Sequence, residues 1–530
     1  MIVPLCMLLV AAACGGGDDG GGDGAAQQNV TPAAVQELVV GHSQDPWVDA
    51  SPGDKKRMPS YPLNTDACET LVALAPTYDV VPVVAAKSEF IGNNTFRFTL
   101  KGEPTFSDGR KVTVEDVRYS INYTLQEPVT AGFEFLGPES VKIVDDKTVD
   151  VTPTRPNLRL VEQINHPTFT VIANGSDPLK DPMGTKCTGP FKLSEYVPGE
   201  RIVVVRNDAY WGEKPRLSKI TFRFYPDETT RMLALQNGEV DLVTTVPRAV
   251  VSSVKGQPGT KLEQSPVGSA ILMYVAQRDQ AGNPRVLSDV RLRRAVAHSI
   301  NQKEFVDGVM AGNAEVIKTV NPPRVLGNHA DLVKGIPFDP AAAGRLLDEA
   351  GWRTGPDGMR AKDGRPLALS MIFPQGTIDL TTMEFIQASL RRVGIVGNIE
   401  RLDAGAYRTR TDNGEYDLDV SQPSQNDANP AFLMALRWYS KATGRNARII
   451  SPGPNTEFER LIDQTNQATS QEELRRLSGE AMHQLVDVEA AGIPLAGMYR
   501  VLAMKTRVQN LQVHPSGTNQ RWSSVFLAKE

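Results

Sequence analysis

Apolar and polar residues follow two different periods along most of the chain. Residues 37–43 (ELVVGHS) form a short apolar, branched run, as expected for a buried strand. Residues 96–100 (FRFTL) alternate apolar and polar side chains, which is typical of a strand with one buried face. Thr113 and Asp116 then have the spacing of a capping box, and apolar residues share one helical face behind them: Val114, Val117, Ile121 and Leu125. Strands and helices keep alternating, so the pattern predicts a mixed α/β fold.

Several predicted helices carry residues that mark where they begin and end. Asp227, Asp289 and Asp339 can each cap the first turn of a helix, and a proline follows Asp339. Gly238 and Gly351 stand where two of these helices should end, and glycine suits the left-handed C-terminal cap. These signals predict a well-ordered globular body, and they carry no information about chemistry.

The chain is too long for a single hydrophobic core. It has 530 residues, and one core stops growing at roughly 250 to 300 residues, so at least two lobes are expected. Hydrophobic residues make up 40% and charged residues 22%, as in a soluble globular protein. The formal net charge of -5 provides no basic surface for a phosphate backbone, so no nucleic-acid partner is expected.

The first residues predict a secretion signal. Residues 1–13 carry no charge and form an apolar run that ends in small residues before Cys14. The run is too short to span a membrane, which takes about 20 apolar residues, but it suits a signal-peptide core. A buried N-terminal helix is the alternative, which the following glycines disfavour. Small residues before a cysteine resemble a bacterial lipobox, so Cys14 is predicted to carry a lipid; the missing basic residues ahead of the run suggest an upstream start codon.

Residues 14–36 are expected to tether the protein to a membrane. Residues 15–24 read GGGDDGGGDG and offer no side chain that could pack into a core. About 22 flexible residues reach roughly 25 Å, enough to hold a globular body away from the membrane surface. The signal and the tether together place the protein outside the cytoplasm.

Cysteine usage fits the same compartment. Cys6 would leave with the signal peptide, and Cys14 would be acylated. Cys68 and Cys187 then remain as an even pair in an oxidising space. A disulfide between them and two unpaired buried thiols are both open.

Sequence motifs for catalysis and for phosphate binding are absent. The chain contains no glycine-rich phosphate loop, no G-x-S-x-G, no H-E-x-x-H and no C-x-x-C. Its histidines are scattered singly, without metal-ligand spacing: His42, His166, His298, His329, His483 and His514. We therefore expect no enzyme activity, no catalytic residue, no bound metal and no cofactor.

Five segments, in order along the chain, resemble one protein family. The strongest covers residues 68–125 and contains CETLVAL and FRFTLKGEPTFSDGRKVTVEDV. The others are residues 188–215 (with TGPF and RNDAYWG), 233–242, 288–314 and 338–352. Together they resemble the family 5 extracellular solute-binding proteins of ABC importers, a group of oligopeptide, dipeptide and nickel binders.

The resemblance implies a two-lobed α/β fold of the periplasmic-binding-protein type (type II, cluster C). Residues 37–275 would form the first lobe, with a small inserted subdomain at about 68–186. Residues 276–492 would form the second lobe, and residues 493–530 would return to the first. Solute would bind between the lobes, and hinge closure would bury it.

Peptide binders of this family hold the ligand's ammonium group with an aspartate in a W-x-x-D-x-x-D-P segment, a charge-assisted contact. The corresponding segment here reads QPSQNDANPAFL, in which the aspartate position falls on Asn426 and Asp427 follows it. Either Asp427 takes the role after a shift of one residue, or the ammonium site is absent. A third alternative is that both residues only shape a loop before Pro430.

Aromatic residues near these segments are further candidates for solute contact. Trp438 and Tyr439 follow on the same segment and offer aromatic faces to the cleft, with buried packing as the alternative. Trp47 and Asp45 follow the first strand, where such folds place loops at the mouth of the cleft.

The resemblance implies an extracytoplasmic, lipid-anchored receptor that captures a peptide and delivers it to ABC permease and ATPase subunits. A monomer is expected. The alternatives are another solute, namely an oligosaccharide, an opine-like metabolite or a metal chelate. A lipid-anchored hydrolase and a sensory partner of a membrane receptor are the alternatives from other classes.

Overall fold

The structure is a computed structural model that describes most of the chain. The described residues are 31–43, 45, 66–92, 94–125, 136–154, 157–158, 160–178, 180–181, 183–423, 429–442, 447–516 and 520–529. The predicted signal peptide, the predicted lipid-attachment residue Cys14 and the candidates Trp47, Asn426 and Asp427 lie outside these residues. The tether predicted from the sequence extends to residue 36, but residues 31–36 are instead bonded to the C-terminal segment: the amide of Ala33 and the side chain of Gln36 each donate to the carbonyl of Leu527 at 2.8 Å.

Strands and helices alternate along the chain, as the hydrophobic pattern predicts. The strands up to residue 264 are β1 (Glu37–His42), β2 (Val72–Leu74), β3 (Val80–Pro82), β4 (Ala85–Gly92), β5 (Thr95–Leu100), β6 (Val141–Ile143), β7 (Thr148–Val151), β8 (Phe191–Val197), β9 (Arg201–Arg206), β10 (Lys219–Phe224), β11 (Leu242–Val243) and β12 (Thr260–Gln264). Those that follow are β13 (Ser269–Val275), β14 (Ala314–Glu315), β15 (Arg353–Thr354), β16 (Arg360–Lys362), β17 (Arg365–Pro366), β18 (Ala368–Pro374), β19 (Val396–Leu402), β20 (Leu418–Ser421), β21 (Gly492–Met498), β22 (Val501–Lys505), β23 (Val508–Gln509) and β24 (Phe526–Leu527).

The helices cover the faces of the sheets. They are α1 (Val114–Leu125), α2 (Leu160–Ile164), α3 (Glu228–Gln236), α4 (Val251–Lys255), α5 (Val290–Ser299), α6 (Gln302–Glu304), α7 (Pro340–Glu349), α8 (Leu380–Arg392), α9 (Ala404–Asn413), α10 (Phe432–Arg437), α11 (Ala447–Ile450), α12 (Glu457–Thr465) and α13 (Gln471–His483). Short 3-10 or π-helical turns lie at Pro167–Phe169, Arg248–Val250, Val286–Ser288, Phe305–Val309, Pro323–Val325, Gly327–Leu332 and Gln484–Val488.

The helix ends read from the sequence are confirmed. The carboxylate of Asp227 accepts a hydrogen bond of 2.7 Å from the amide of Thr230 in α3. Asp339 accepts one of 2.9 Å from the amide of Ala342 in α7. Gly351 after α7 has a φ of 87°, the left-handed conformation that glycine adopts without steric cost. These caps depend only on neighbouring residues, which is why sequence locates them.

Two large sheets divide the described residues into two lobes. The first sheet has seven strands in the order β12-β22-β11-β1-β10-β9-β8, with β1 parallel to β10 and β11. The second has six strands in the order β14-β21-β13-β20-β18-β19, with β18 parallel to β19 and β20. Strand β13 is buried on both faces: Met273 belongs to one core of the second lobe and Leu272 to the other.

The predicted inserted subdomain, residues 68–186, contains a sheet and a core of its own. Its four strands run in the order β4-β5-β7-β6, and α1 packs against them. A disulfide joins Cys68 to Cys187, with their Cα atoms 4.7 Å apart. This bond ties the start of the subdomain to its end.

The chain crosses between the two large sheets at residues 265–268 and returns at residues 499–500. The sequence-based boundaries, 275/276 and 492/493, assign β13 and β21 to the first lobe. Both strands instead pair with each other inside the second sheet, so each boundary needs to move to its crossing. A fully buried apolar strand fits either sheet, and only its pairing partners decide where it belongs.

Candidate binding cleft between the two lobes

Two short connections, bonded to each other, form the hinge between the lobes. The amide of Arg500 donates to the Oγ atom of Ser265 at 3.0 Å, and the amide of Ser265 donates to the carbonyl of Arg500 at 2.9 Å. Gly268 lies so close to Pro515 that an added Cβ would be 2.6 Å from the Cβ of that proline. Only glycine fits there, so the two connections and the C-terminal segment are packed against each other.

A cavity of about 330 Å³ lies beside this hinge, between the two lobes. Strand β11 ends directly before Thr244 and β20 directly before Gln422, and both of these residues line the cavity. The carboxyl ends of parallel strands are where open α/β sheets bind ligands. The lining residues are Thr244, Thr245, Val246, Arg248, Val251, Ser269, Asn313, Gln422, Met498, Tyr499, Arg500, Val501 and Pro515.

An ion pair crosses the cleft at one side of the cavity. The Nη2 atom of Arg248, in the first lobe, lies 3.3 Å from the Oδ2 atom of Asp379, in the second lobe. The Nη1 atom of Arg248 also contacts the sulfur of Met310 at 3.0 Å. The two lobes are therefore held together here by side chains and not only by the hinge.

The inserted subdomain provides further contacts between the lobes. Leu74 and Tyr78, from the β2–β3 hairpin, pack into the same core as Ile317 and Val320 of the second lobe. The guanidinium of Arg324 donates to the carbonyl of Pro76 at 3.2 Å, also between the lobes. The lobes thus also touch through a second set of residues.

Arg500 and Tyr499 bring a charge and a polar group to the cavity from the hinge. Burial lowers the pKa of Arg500 to about 10, so its guanidinium stays cationic at neutral pH. The hydroxyl of Tyr499 donates to Glu315 at 2.9 Å, and burial together with this carboxylate raises the pKa of Tyr499 to about 12. At neutral pH the cavity therefore presents a cation and a neutral phenol.

The segment that carries Asn426 and Asp427 starts at the cavity. Gln422, a lining residue, donates to the hydroxyl of Ser269 at 2.8 Å. At the far end of the segment, the carbonyl of Pro430 accepts a hydrogen bond of 2.7 Å from Asn321. Contact of Asn426 and Asp427 with a solute stays a prediction.

The described sequence candidates lie outside the set of residues that line the cavity. Trp438 is fully buried; its ring stacks on Tyr274 with centroids 4.9 Å apart, and its Nε1 atom donates to the carbonyl of Ala491 at 3.0 Å. Tyr439 is partly buried, and its hydroxyl donates to Asp463. Packing within the second lobe accounts for these contacts.

Asp45, the remaining described candidate, is buried in the first lobe. Its Oδ2 atom accepts hydrogen bonds from the amide of Gly199 at 2.7 Å and from the hydroxyl of Tyr196 at 3.0 Å. These bonds hold the end of β1 against the β8–β9 hairpin. A solute contact by Asp45 stays a prediction.

Two buried carboxyl groups lie away from the cavity. Burial raises the pKa of Asp419 to about 7, and the hydroxyl of Tyr407 donates to it at 2.8 Å. Burial likewise raises the pKa of Glu69 to about 7, and the hydroxyl of Tyr210 donates to it at 2.7 Å. In the part of the chain that the structure describes, no group of three or more histidine, cysteine, aspartate and glutamate residues is placed to hold a metal ion.

Sequence reasoning did not find Arg248, Asp379 or Arg500. Arg500 lies between two strands, directly before β22, which marks a connection but not a cleft. Arg248 and Asp379 are far apart in sequence and meet only because two lobes face each other. The one signal that was available is position, since Thr244 and Gln422 each stand directly after a strand.

Comparison with known proteins decides the family. Residues 79–445 match the model of the bacterial extracellular solute-binding proteins, family 5, middle region. The chain belongs to this family. The recognition from sequence is thereby confirmed.

Two curated relatives extend the match along the family 5 protein. This chain is 26% identical to the nickel-binding periplasmic protein of Escherichia coli K12, over 87% of this chain and 89% of the relative. It is also 26% identical to the dipeptide-binding protein of the same organism, over 73% of this chain and 75% of the relative.

A solved structure confirms the fold. The crystal structure of NikA from Brucella suis in complex with Fe(III)-EDTA has a TM-score of 0.80 at 23% identity, and the match covers 93% of this chain and 99% of that one. The two-lobed periplasmic-binding-protein fold predicted from the sequence is therefore present.

Family membership defines the coarse function. Family 5 proteins bind solutes and are not enzymes, and they work outside the cytoplasm with the permease and ATPase of an ABC importer. Among the residues described, no helix is both long enough and apolar enough to cross a membrane.

Proposed function

We propose that this family 5 protein is a lipid-anchored receptor that captures small peptides in the cleft between its lobes and delivers them to an ABC permease. The observation that carries the proposal is the cavity of about 330 Å³, lined from both lobes at the hinge. Because a solute there touches both lobes at once, it stabilises the closed arrangement. The similarity to a dipeptide-binding protein supports a peptide as the solute.

A chelated metal ion is the second candidate for the solute. The relative that matches over the larger share of the chain is a nickel-binding protein. A chelate brings most of the metal's ligands with it, so the cleft would have to recognise the chelator more than the ion. In this case the chelate would bind in the same cavity that we propose for a peptide.

A thermal-shift panel distinguishes these solutes. Purified protein is heated with mixed di- and tripeptides, with nickel and L-histidine, or with mixed oligosaccharides. A ligand at 100 times its Kd adds about 2.7 kcal/mol to the stability of the folded state, which raises the melting temperature by several degrees. A shift with peptides alone supports the proposal, and a shift only with nickel and histidine or only with oligosaccharides contradicts it.

Within this function, we assign the peptide ammonium group to Asp427. Support comes from Gln422, which starts the segment at the cavity wall. Replacing Asp427 by Ala should abolish peptide capture, whereas replacing Asn426 by Ala should weaken it much less. Equal affinities for both variants and the unaltered protein would contradict the assignment.

The anchor is part of the same proposal. We propose that Cys14 carries the lipid, that residues 14–30 act as the tether, and that the protein works as a monomer. A Cys14→Ala variant should appear in the soluble fraction and lack a labelled fatty acid, while the unaltered protein should stay with the membranes. Light scattering should give the mass of one chain. Fatty-acid label on the Cys14→Ala variant would exclude Cys14 as the attachment site.

A further inference from the structure

The described residues that line the cavity carry positive but no negative charge. Its described lining includes two arginines, Arg248 and Arg500, and no carboxylate. Arg248 is paired with Asp379 across the cleft. Arg500 has no ion-pair partner among the described residues, so none of them neutralises the charge of this lining residue.

The guanidinium of Arg500 keeps most of its hydrogen-bonding capacity. Its Nη1 atom donates over long distances, 3.3 Å to the side-chain oxygen of Gln520 and 3.5 Å to the carbonyl of His514. The Nε and Nη2 atoms donate to no described group. A guanidinium has five N–H donors in a planar fork, so three remain, and a carboxylate can accept two of them at once.

The position of Arg500 is fixed by the hinge. Its backbone is bonded on both sides to Ser265 in the neighbouring connection, at 3.0 and 2.9 Å. A cation that has lost much of its hydration is costly unless an anion or several acceptors compensate it. A group that enters the cavity with a negative charge would supply this compensation.

We infer that Arg500 is the anion-binding residue of the cleft, and that the captured solute is a small acid whose carboxylate lies next to the hinge. This inference rests on the proposed function and narrows its substrate class. The rest of the solute extends towards Thr244 and Gln422, which line the same cavity. A volume of about 330 Å³ lies at the low end of small-molecule sites, which favours short solutes over long peptides.

The test compares acids with their amides on the unaltered protein. Calorimetry measures the affinity for a mixture of free-acid dipeptides and for the same mixture amidated at the C-terminus. A second pair of probes is nickel with L-histidine and nickel with L-histidine amide, so that a carboxylate from a peptide and one from a chelator are distinguished. We expect the amide to bind about 100-fold more weakly than the acid within whichever pair binds. Equal affinity of acid and amide would overturn the inference.

Substitutions then assign the effect to Arg500. Arg500→Gln should weaken binding of the acid about 100-fold and leave the affinity for the amide nearly unchanged. Arg500→Lys, which keeps the charge but not the fork, should retain part of the affinity. The matched control is Arg460→Gln, which removes the same charge from an exposed position on α12. Unaltered affinity of Arg500→Gln for the acid would refute the assignment, and if this variant fails to fold, the comparison of acid and amide decides alone.

The outcome also separates this inference from the proposed function. If neutral amides bind as tightly as acids, the proposal that the cleft captures a solute is supported, and the proposal that Arg500 binds its carboxylate is wrong. If neither pair of probes binds in either form, capture of peptides and chelates fails, and the inference fails with it.

Discussion

Arg248 in the first lobe and Asp379 in the second form an ion pair across the cleft, with the Nη2 and Oδ2 atoms 3.3 Å apart. The hinge allows the lobes to separate, and this pair exists only while they are close. It therefore favours the closed arrangement that holds a solute.

We expect Asp379→Asn to lower solute affinity by up to about fivefold, because partly exposed ion pairs contribute little. The same variant should have a larger radius of gyration without solute, as measured by small-angle scattering. The control is Glu480→Gln, which breaks an ion pair of 2.7 Å within α13, away from the cleft. Identical affinity and identical scattering of Asp379→Asn and the unaltered protein would show that the pair does not help to close the cleft.

The raised pKa of Asp419 predicts that the free energy of unfolding falls as the pH rises. Its pKa is raised from 3.8 to about 7 by burial, so the folded state keeps a proton that the unfolded state has already lost. Stability from this group is complete below pH 3.8 and declines as the pH rises towards 7. Between pH 5 and 7 the loss should be on the order of 2 kcal/mol.

The measurement is chemical denaturation between pH 4 and 8. The unaltered protein should become easier to unfold as the pH rises, apart from changes due to other groups. Asp419→Asn removes one of the titrating groups and should make this decline less steep, because Glu69, whose pKa is also raised to about 7, still titrates. Asp145→Asn, on an exposed turn, should leave the decline in place. A decline of the same steepness in Asp419→Asn would assign the pH dependence to other groups.

The disulfide should stabilise the inserted subdomain. Cys68 and Cys187 are separated by 119 residues, and closing a loop of that length contributes up to about 5 kcal/mol in the chain-entropy model. We expect the Cys68→Ser, Cys187→Ser double variant to melt at a lower temperature and to bind solute as before, because neither cysteine lines the cavity. Thiol titration of the denatured, unreduced protein checks the bond: two free thiols from these cysteines would contradict it.

A substitution of Trp438 distinguishes packing in the core of the second lobe from contact with the solute. Its Nε1 atom donates to Ala491, and its ring stacks on Tyr274 in the core. Trp438→Phe keeps most of the ring but loses this hydrogen bond, which should lower the free energy of unfolding by about 1 to 2 kcal/mol. Solute affinity should not change. A large loss of affinity with little loss of stability would make Trp438 a ligand residue.

Local features of the fold could be read from the sequence, because they depend on neighbouring residues. Asp227, Asp339 and Gly351 cap their helices where the sequence places them. The mixed α/β class follows from the same alternation of periods. The family follows from five ordered segments.

The lobe boundaries and the cleft could not be read in this way. Strands β13 and β21 are almost entirely apolar, so their sequences fit a buried position in either sheet. In the sequence, Arg500 is one charged residue between two strands, and only the structure shows that it lies at the hinge beside Gln520. Such features depend on which distant segments meet, and a single sequence records them only indirectly.

Native mass spectrometry of the purified protein tests the central claim most directly, because two lobes that close around a solute retain it through gentle purification. We predict a species heavier than the chain by the mass of one small molecule, which is released when the protein is partly unfolded. The account is contradicted if only the mass of the empty chain appears, both as purified and after incubation with peptides or with nickel and histidine.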